Sequence, residues 1–174
     1  MVIRVRPRTS GDLEALEALA ATLKDVDGYP PPLGRGLFPA APAWVACSDD
    51  ALVGHVAVHE STASEAMDVV AKAAGCTRAD LLVVSRLFVA IDRRRAGIGR
   101  MLLDVAVTAC HERGRRPMLD VSTDFAAAIA LYERAGWERV GDVVFPYVAD
   151  GIEHVAHSYA YLGPAPPDQE GPRT

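Results

Sequence analysis

The chain has 174 residues, half of them hydrophobic and 24% charged, with a formal net charge of −5. That length suits one domain with a real core and is short for two, and the composition is that of an ordinary globular protein. The acidic balance argues against a general nucleic-acid binder, and no apolar run approaches the roughly 18–20 residues of a membrane helix.

Val2 to Arg6 alternates apolar and basic residues, as a strand does. It lacks the continuous apolar stretch of a signal peptide, so a cytoplasmic location is expected. Thr9-Ser10-Gly11-Asp12 opens a helix, with Asp12 three residues after Thr9 as in a capping box. Leu13, Leu16, Leu19, Ala20 and Leu23 continue it at helical spacing, with an end expected near Lys24 or Asp25. Residues 26–42 are dominated by Gly and Pro and read as a loop. Ala43 to Cys47 is a strand, Ser48-Asp49-Asp50 a turn, and Leu52 to His59 the returning strand. Residues 63–74 show helical spacing, and Gly75 would stop that helix.

Leu81 to Val89 is a long β-rich run, followed by a glycine-bearing turn from Arg94 to Gly99. Ile98, Met101, Leu102, Val105, Ala106 and Ala109 then trace one helix face through about Glu112, with Gly114 just past the end. Met118 to Ser122 is a strand. Asp124 is placed to cap a helix running to Ala135 and stopping at Gly136. Residues 138–148 and 152–162 read as two final strands around Asp150-Gly151. Residues 163–174 are rich in Pro, Gly and charge and read as a disordered tail after one domain over 1–162. The order β-α-β-β-α-β-α-β-α-β-β mixes hairpins with crossovers. It predicts an α/β fold with a mixed, mostly antiparallel sheet of about seven strands and four to five helices.

Three cysteines, Cys47, Cys76 and Cys110, are widely spaced and form no CxxC pair. Buried, reduced thiols are expected rather than a disulfide framework or a zinc site. No HExxH or paired-histidine spacing occurs, so no metal is expected.

The chemistry centres on a strand, a glycine loop and a helix. The first backbone N–H groups of a helix have no intrahelical acceptor and carry partial positive charge. An anion there accepts several hydrogen bonds at once. Gly97 and Gly99 remove side chains that would hold a phosphate away, and Arg93, Arg94, Arg95 and Arg100 add charge. By itself this pattern supports anion binding; it is neither GxGxxG nor the P-loop.

A second segment narrows it. Arg94-x-x-Gly97-x-Gly99 is followed one strand later by Ala128-x-x-Leu131-Tyr132-x-x-x-Gly136-Trp137. Together they resemble the GCN5-related N-acetyltransferase (GNAT) superfamily over roughly residues 1–162. The resemblance implies an acyl-CoA N-acyltransferase fold in which the pantetheine arm lies between two splayed parallel strands. Acetyl-CoA would be the co-substrate. Leu87, Phe88 and Val89 would offer backbone groups to the pantetheine and the acyl carbonyl. Arg94, Arg95, Ala96, Gly97, Ile98, Gly99 and Arg100 would hold the pyrophosphate, and Tyr132 would sit near the sulfur. The family's asparagine, three residues before its alanine, is Phe125 here, so that hydrogen bond is not carried over.

Transfer to an amine requires a base, donors for the oxyanion and a proton for the thiolate. A tyrosine is protonated at neutral pH, so Tyr132 fits as the general acid. Glu60 ranks first as the base, with His59 and Asp120 behind it and a water chain as an alternative. Ser85 or Arg86 are candidates for orienting the acceptor. The expected acceptor is a primary amine of a small molecule or peptide. A non-catalytic acyl-CoA-binding sensor on the same fold is the competing reading. Neither nucleic acid nor membrane is expected as a partner, and a homodimer contact through the final strands stays open. Glu65 and Asp68 in the 61–79 segment, with Asp80 beside it, suit either a cationic acceptor or, slightly better, a solvated helix face.

Overall fold

A computed structural model describes residues 2–28, 42–49, 51–60, 64–149 and 151–167. The greater part of the 26–42 loop and the end of the tail lie outside them, as do Asp50 and Asp150 in the two hairpin turns. The strands are β1 (Ile3–Pro7), β2 (Ala43–Ser48), β3 (Ala51–His59), β4 (Leu81–Val89), β5 (Arg116–Ser122), β6 (Glu138–Ala149) and β7 (Ile152–Leu162). The α-helices are α1 (Leu13–Asp27), α2 (Glu65–Ala74), α3 (Ile98–His111) and α4 (Ala126–Arg134). The sheet order is β1-β2-β3-β4-β5-β7-β6. The β4–β5 pairing is parallel, while β1–β2, β2–β3, β5–β7 and β6–β7 are antiparallel. This is the mixed seven-stranded sheet expected from the element order. Of the three prolines inside strand limits, Pro7 and Pro146 sit on β1 and β6 at the sheet's edges, where a missing N–H donor costs no ladder bond, and Pro117 is the second residue of β5.

The chain divides into two compact units, with β4 and α3 contributing to both. The first comprises Met1–His59 and Val84–Ala109. Here α1 buries Leu16 and Leu23 against Val45 and Phe88. Its entry is fastened by Asp12, whose carboxylate accepts from the Thr9 N–H at 2.7 Å, the Thr9 hydroxyl at 2.9 Å and both Arg6 terminal nitrogens at 2.8 and 2.6 Å. A short 3-10 turn over Ser10–Asp12 precedes the α-helix proper. The helix outlasts the expected end and stops at left-handed Gly28, φ 73°, whose N–H reaches the Lys24 carbonyl. In α3, Ile98, Leu102, Leu103, Ala106 and Ala109 are buried. Gly54 on β3 permits the close approach: a Cβ there would stand 2.9 Å from Leu102 Cδ1 and 3.0 Å from the Phe88 carbonyl oxygen.

The second unit comprises Glu60–Val83 and Cys110–Thr174. The apolar face of α2, Ala66, Met67, Val70 and Ala71, packs on Leu81, Val83, Met118, Val143, Ala160 and Leu162. Left-handed Gly75 ends α2 as expected. The parallel β4–β5 ladder covers Leu81↔Arg116 to Val83↔Met118, and β5 then pairs β7 from Met118↔Leu162 to Ser122↔Ser158.

Three expectations change. Asp124 does not cap α4: Phe125 holds the N-cap position with no side-chain cap bond, and the Asp124 carboxylate lies 3.4 Å from the Ser122 hydroxyl instead. Residues 163–167 are not part of a loose tail. Gly163 donates to the Pro117 carbonyl at 2.8 Å, and Gly163 and Pro166 are buried. Of the cysteines only Cys110 is buried, and that burial pushes its thiol up to about 12; Cys47 and Cys76 are half-buried. Among the described residues no helix is long and apolar enough to cross a membrane.

Candidate active site

In the first unit, β4 carries a break in regularity. Arg86 has φ 54°, a left-handed conformation inside a strand. For a residue with a Cβ this stores on the order of 1–3 kcal/mol and interrupts the extended backbone locally, as a β-bulge does. Leu87 and Val89 beyond it are half-buried and Phe88 is buried. The end of the strand is fastened to β3 where the Ala90 N–H reaches the Val53 carbonyl at 2.8 Å.

A 3-10 turn, Ile91–Arg93, leads into the loop. Arg95 (φ 64°) and Gly97 (φ 80°) are left-handed on either side of Ala96, a turn geometry that gathers successive N–H groups into a concave anion cradle. The first helical bond of α3 runs from the Met101 N–H to the Gly97 carbonyl at 3.1 Å. The N–H groups of Ile98, Gly99 and Arg100 therefore fall in the first turn, where no intrahelical acceptor exists. Ile98 anchors this end through a buried side chain. The arginines are less uniform than their run suggests. Arg93 pairs with Asp92 at 3.2 Å and Arg100 with Asp104 at 2.7 Å, while Arg94 Nε donates to the Val89 carbonyl at 3.3 Å.

His55 belongs to this corner, and sequence reasoning gave it no role. It is fully buried, stacked on Phe88 with ring centroids 5.4 Å apart and planes 26° apart. Its Nδ1 lies 3.0 Å from the Arg86 carbonyl oxygen and its Nε2 3.2 Å from Arg8 Nη1. A carbonyl only accepts and a guanidinium only donates. The ring is therefore neutral, with its proton on Nδ1 and its lone pair on Nε2. Burial, joined by the charges of Arg8 and Arg86, holds it down to about 4 against the opposing pull of the Arg86 carbonyl. The sequence signal was a histidine amid Val53, Gly54, Val56, Ala57 and Val58, a run buried on both strand faces. Beside the bulge, the Ser85 hydroxyl is a buried atom without a hydrogen-bond partner among the described residues.

In the second unit, Asp120 stands on β5 between buried Leu119 and Val121, opposite Ala160 of β7. The residue is exposed to solvent, yet its carboxyl stands close among neighbouring protein atoms. The resulting loss of hydration pushes its carboxyl above the usual range. Tyr132 is 7% exposed and lies tilted between Trp137 and Tyr161, at 5.9 and 6.0 Å between centroids. The turn closing α4 keeps it there, since the Trp137 N–H reaches back to the Tyr132 carbonyl at 3.1 Å and Gly136 is left-handed. Glu60 is 72% exposed and accepts from Arg115 Nη1 at 2.5 Å. Asp68 is held by two bonds from Arg78 and Asp80 by Thr77, so these two carboxylates are occupied locally.

A sequence profile of the Acetyltransferase (GNAT) family matches residues 15–137. The chain belongs to the GNAT acetyltransferase family. That membership makes it an acyl-CoA-dependent acyltransferase with acetyl-CoA as co-substrate. No curated protein matches it. The fold recurs in Arabidopsis thaliana NAA60 in complex with acetyl-CoA, with TM-score 0.69, 22% identity, and 92% and 97% of the two chains covered. It also recurs in Arabidopsis thaliana NAA50 with the bisubstrate analogue CoA-Ac-MVNAL (0.68, 17%, 94% and 99%). The ribosomal-protein-S18-alanine N-acetyltransferase of Escherichia coli shares it too (0.58, 17%, 98% and 100%). These identities carry the fold of the acetyltransferase and not its acceptor.

Proposed function

We propose that this acetyltransferase moves an acetyl group from acetyl-CoA to a primary amine, most readily the α-amine of a peptide, by direct attack. In this reading the backbone of Leu87, Phe88 and Val89 takes the pantetheine and the acyl carbonyl, with the Val89 N–H as oxyanion donor. The segment from Arg94 to Arg100 takes the pyrophosphate. Asp120 is the base, directly or through water, and Tyr132 the acid.

The observation that carries it is the contrast between the two carboxylates first considered. Glu60 is bonded to Arg115, whereas Asp120, though also exposed, stands between buried Leu119 and Val121 with its carboxyl raised by loss of hydration. A base works best with its pKa near the working pH, which favours Asp120. Asp120 accepts a proton from the acceptor ammonium. The freed nitrogen lone pair attacks the thioester carbon, and the oxyanion forms against the strand N–H. Collapse breaks the C–S bond, the leaving thiolate takes the Tyr132 proton, and the second proton of the attacking nitrogen returns through water to the Tyr132 phenolate, leaving a neutral amide while Asp120 releases its proton to solvent. An α-amine, with an ordinary pKa of about 7.7–8.0, is already partly neutral at pH 7, whereas a lysine at about 10.4 is not. A carboxylate base therefore suits the α-amine better. NAA50 crystallised with a CoA–peptide conjugate, which supports a peptide acceptor on this fold.

The test is thiol release from acetyl-CoA with peptides bearing free α-amines, α-blocked lysine peptides and small polyamines. Turnover with free α-amines supports the reading. Turnover confined to lysine or polyamines moves the acceptor class, and tight acetyl-CoA binding without turnover on any amine makes the chain a sensor.

A further inference from the structure

The bulge at Arg86 needs a partner to hold it, because a left-handed residue inside a strand is stable only when its surroundings over-determine it. His55 supplies that partner from β3. Its Nδ1–H is bonded to the Arg86 carbonyl at 3.0 Å, its ring stacks on Phe88 two residues further on, and Arg8 closes the Nε2 side at 3.2 Å. The ring is fully buried, so no water competes for these bonds. Just past the end of β4, the Ala90 N–H bonds to the carbonyl of Val53, two residues before His55. The segment Leu87–Val89 is thus clamped at both ends by neighbouring residues of β3.

We propose that His55 is a positioning residue for the cofactor: its Nδ1–H locks the Arg86 bulge and so sets the backbone of Leu87–Val89 to receive acyl-CoA. This rests on the assignment of Leu87–Val89 to acyl-CoA made above. The ring neither touches substrate nor exchanges protons with it. A neutral Nδ1 donor is what the position requires, so an asparagine, whose amide nitrogen overlies Nδ1, replaces the function. A glutamine, whose amide reaches the Nε2 position, does not.

The experiment compares the full chain with His55→Asn, His55→Gln and His55→Leu, using calorimetric titration with acetyl-CoA and amide hydrogen exchange of the free protein across residues 86–90. Expected for His55→Leu and His55→Gln is an acetyl-CoA Kd weaker by about tenfold, the size of one lost hydrogen bond. Faster exchange confined to 86–90 should accompany it. His55→Asn should stay within about threefold of the unsubstituted chain, since the donor is retained. Equal binding and equal exchange in all three variants overturns the proposal, as does equal damage in Asn and Gln. If His55→Leu does not fold, the Asn–Gln comparison decides alone. If the unsubstituted chain does not bind acetyl-CoA, the assignment of Leu87–Val89 fails, while exchange at 86–90 still reports on the lock.

Discussion

In the proposed reaction the two units do different kinds of chemistry with different kinds of atoms. In the first, the loop from Arg94 to Gly99 and the end of β4 present main-chain groups, and side chains such as Ile98, Phe88 and His55 hold that main chain in place. In the second, Asp120 and Tyr132 present side chains whose properties come from what surrounds them. Damage should therefore fall on cofactor affinity in the first unit and on turnover in the second.

The largest expected effect breaks the catalytic half. Asp120→Asn and Tyr132→Phe should each lower kcat by about 10²–10⁴, the range for a lost general acid or base, with little change in the KM for acetyl-CoA. Asp120→Asn should also remove the acidic limb of the pH–rate profile. If either variant instead raises KM at unchanged kcat, the residue packs rather than reacts and the division between the units fails.

Next in size is the acid sensitivity of the binding half. His55 is held down to about 4 in the fold, against an ordinary value near 6.5. The unfolded chain thus takes up a proton at a pH where the folded chain refuses it. The stability tied to the neutral ring is complete above about pH 6.5 and is lost as pH falls towards 4, by about 3 kcal/mol. Asp12, held low by Arg6, acts in the same direction but only below the ordinary carboxylate range. Urea denaturation of the chain and of His55→Asn at pH 7, 5.5 and 4.5 separates the two, since only the former should lose stability steeply in that window.

Gly97→Ala should follow. A side chain at φ 80° costs about 1–2 kcal/mol and disturbs the N–H cradle, so acetyl-CoA titration should show roughly five- to tenfold weaker binding at nearly unchanged kcat. The smallest effect belongs to Glu60→Gln. An exposed ion pair contributes about 0–1 kcal/mol, so a thermal melt and the acetylation rate should both stay close to those of the parent. A hundredfold loss of rate there would restore Glu60 as the base and displace Asp120.

The order of strands and helices was legible because it is written locally. Apolar spacing marked α1 and α3, and Gly28, Gly75 and Gly136 stand where helices stop. The glycine loop was legible for the same reason, since a backbone site is encoded by the residues that leave the backbone uncovered. Asp124 misled because a good capping residue one position early is indistinguishable in sequence from one in register. The short Pro117–Gly163 bond that ties down the start of the tail joins residues far apart in the chain, which no local pattern announces.

The sequence by itself determined the fold family, the sheet's composition and the donor half of the reaction, because periodicity, turn residues and the spacing from Arg94 to Gly99 and from Ala128 to Trp137 act over a few neighbouring residues. Only the tertiary structure decided that Glu60 is paired and exposed, that Asp120 is raised, and that His55 is a neutral strut under the Arg86 bulge. Those properties depend on desolvation and on partners brought from distant strands, and a side chain's hydration does not exist until the chain has folded around it.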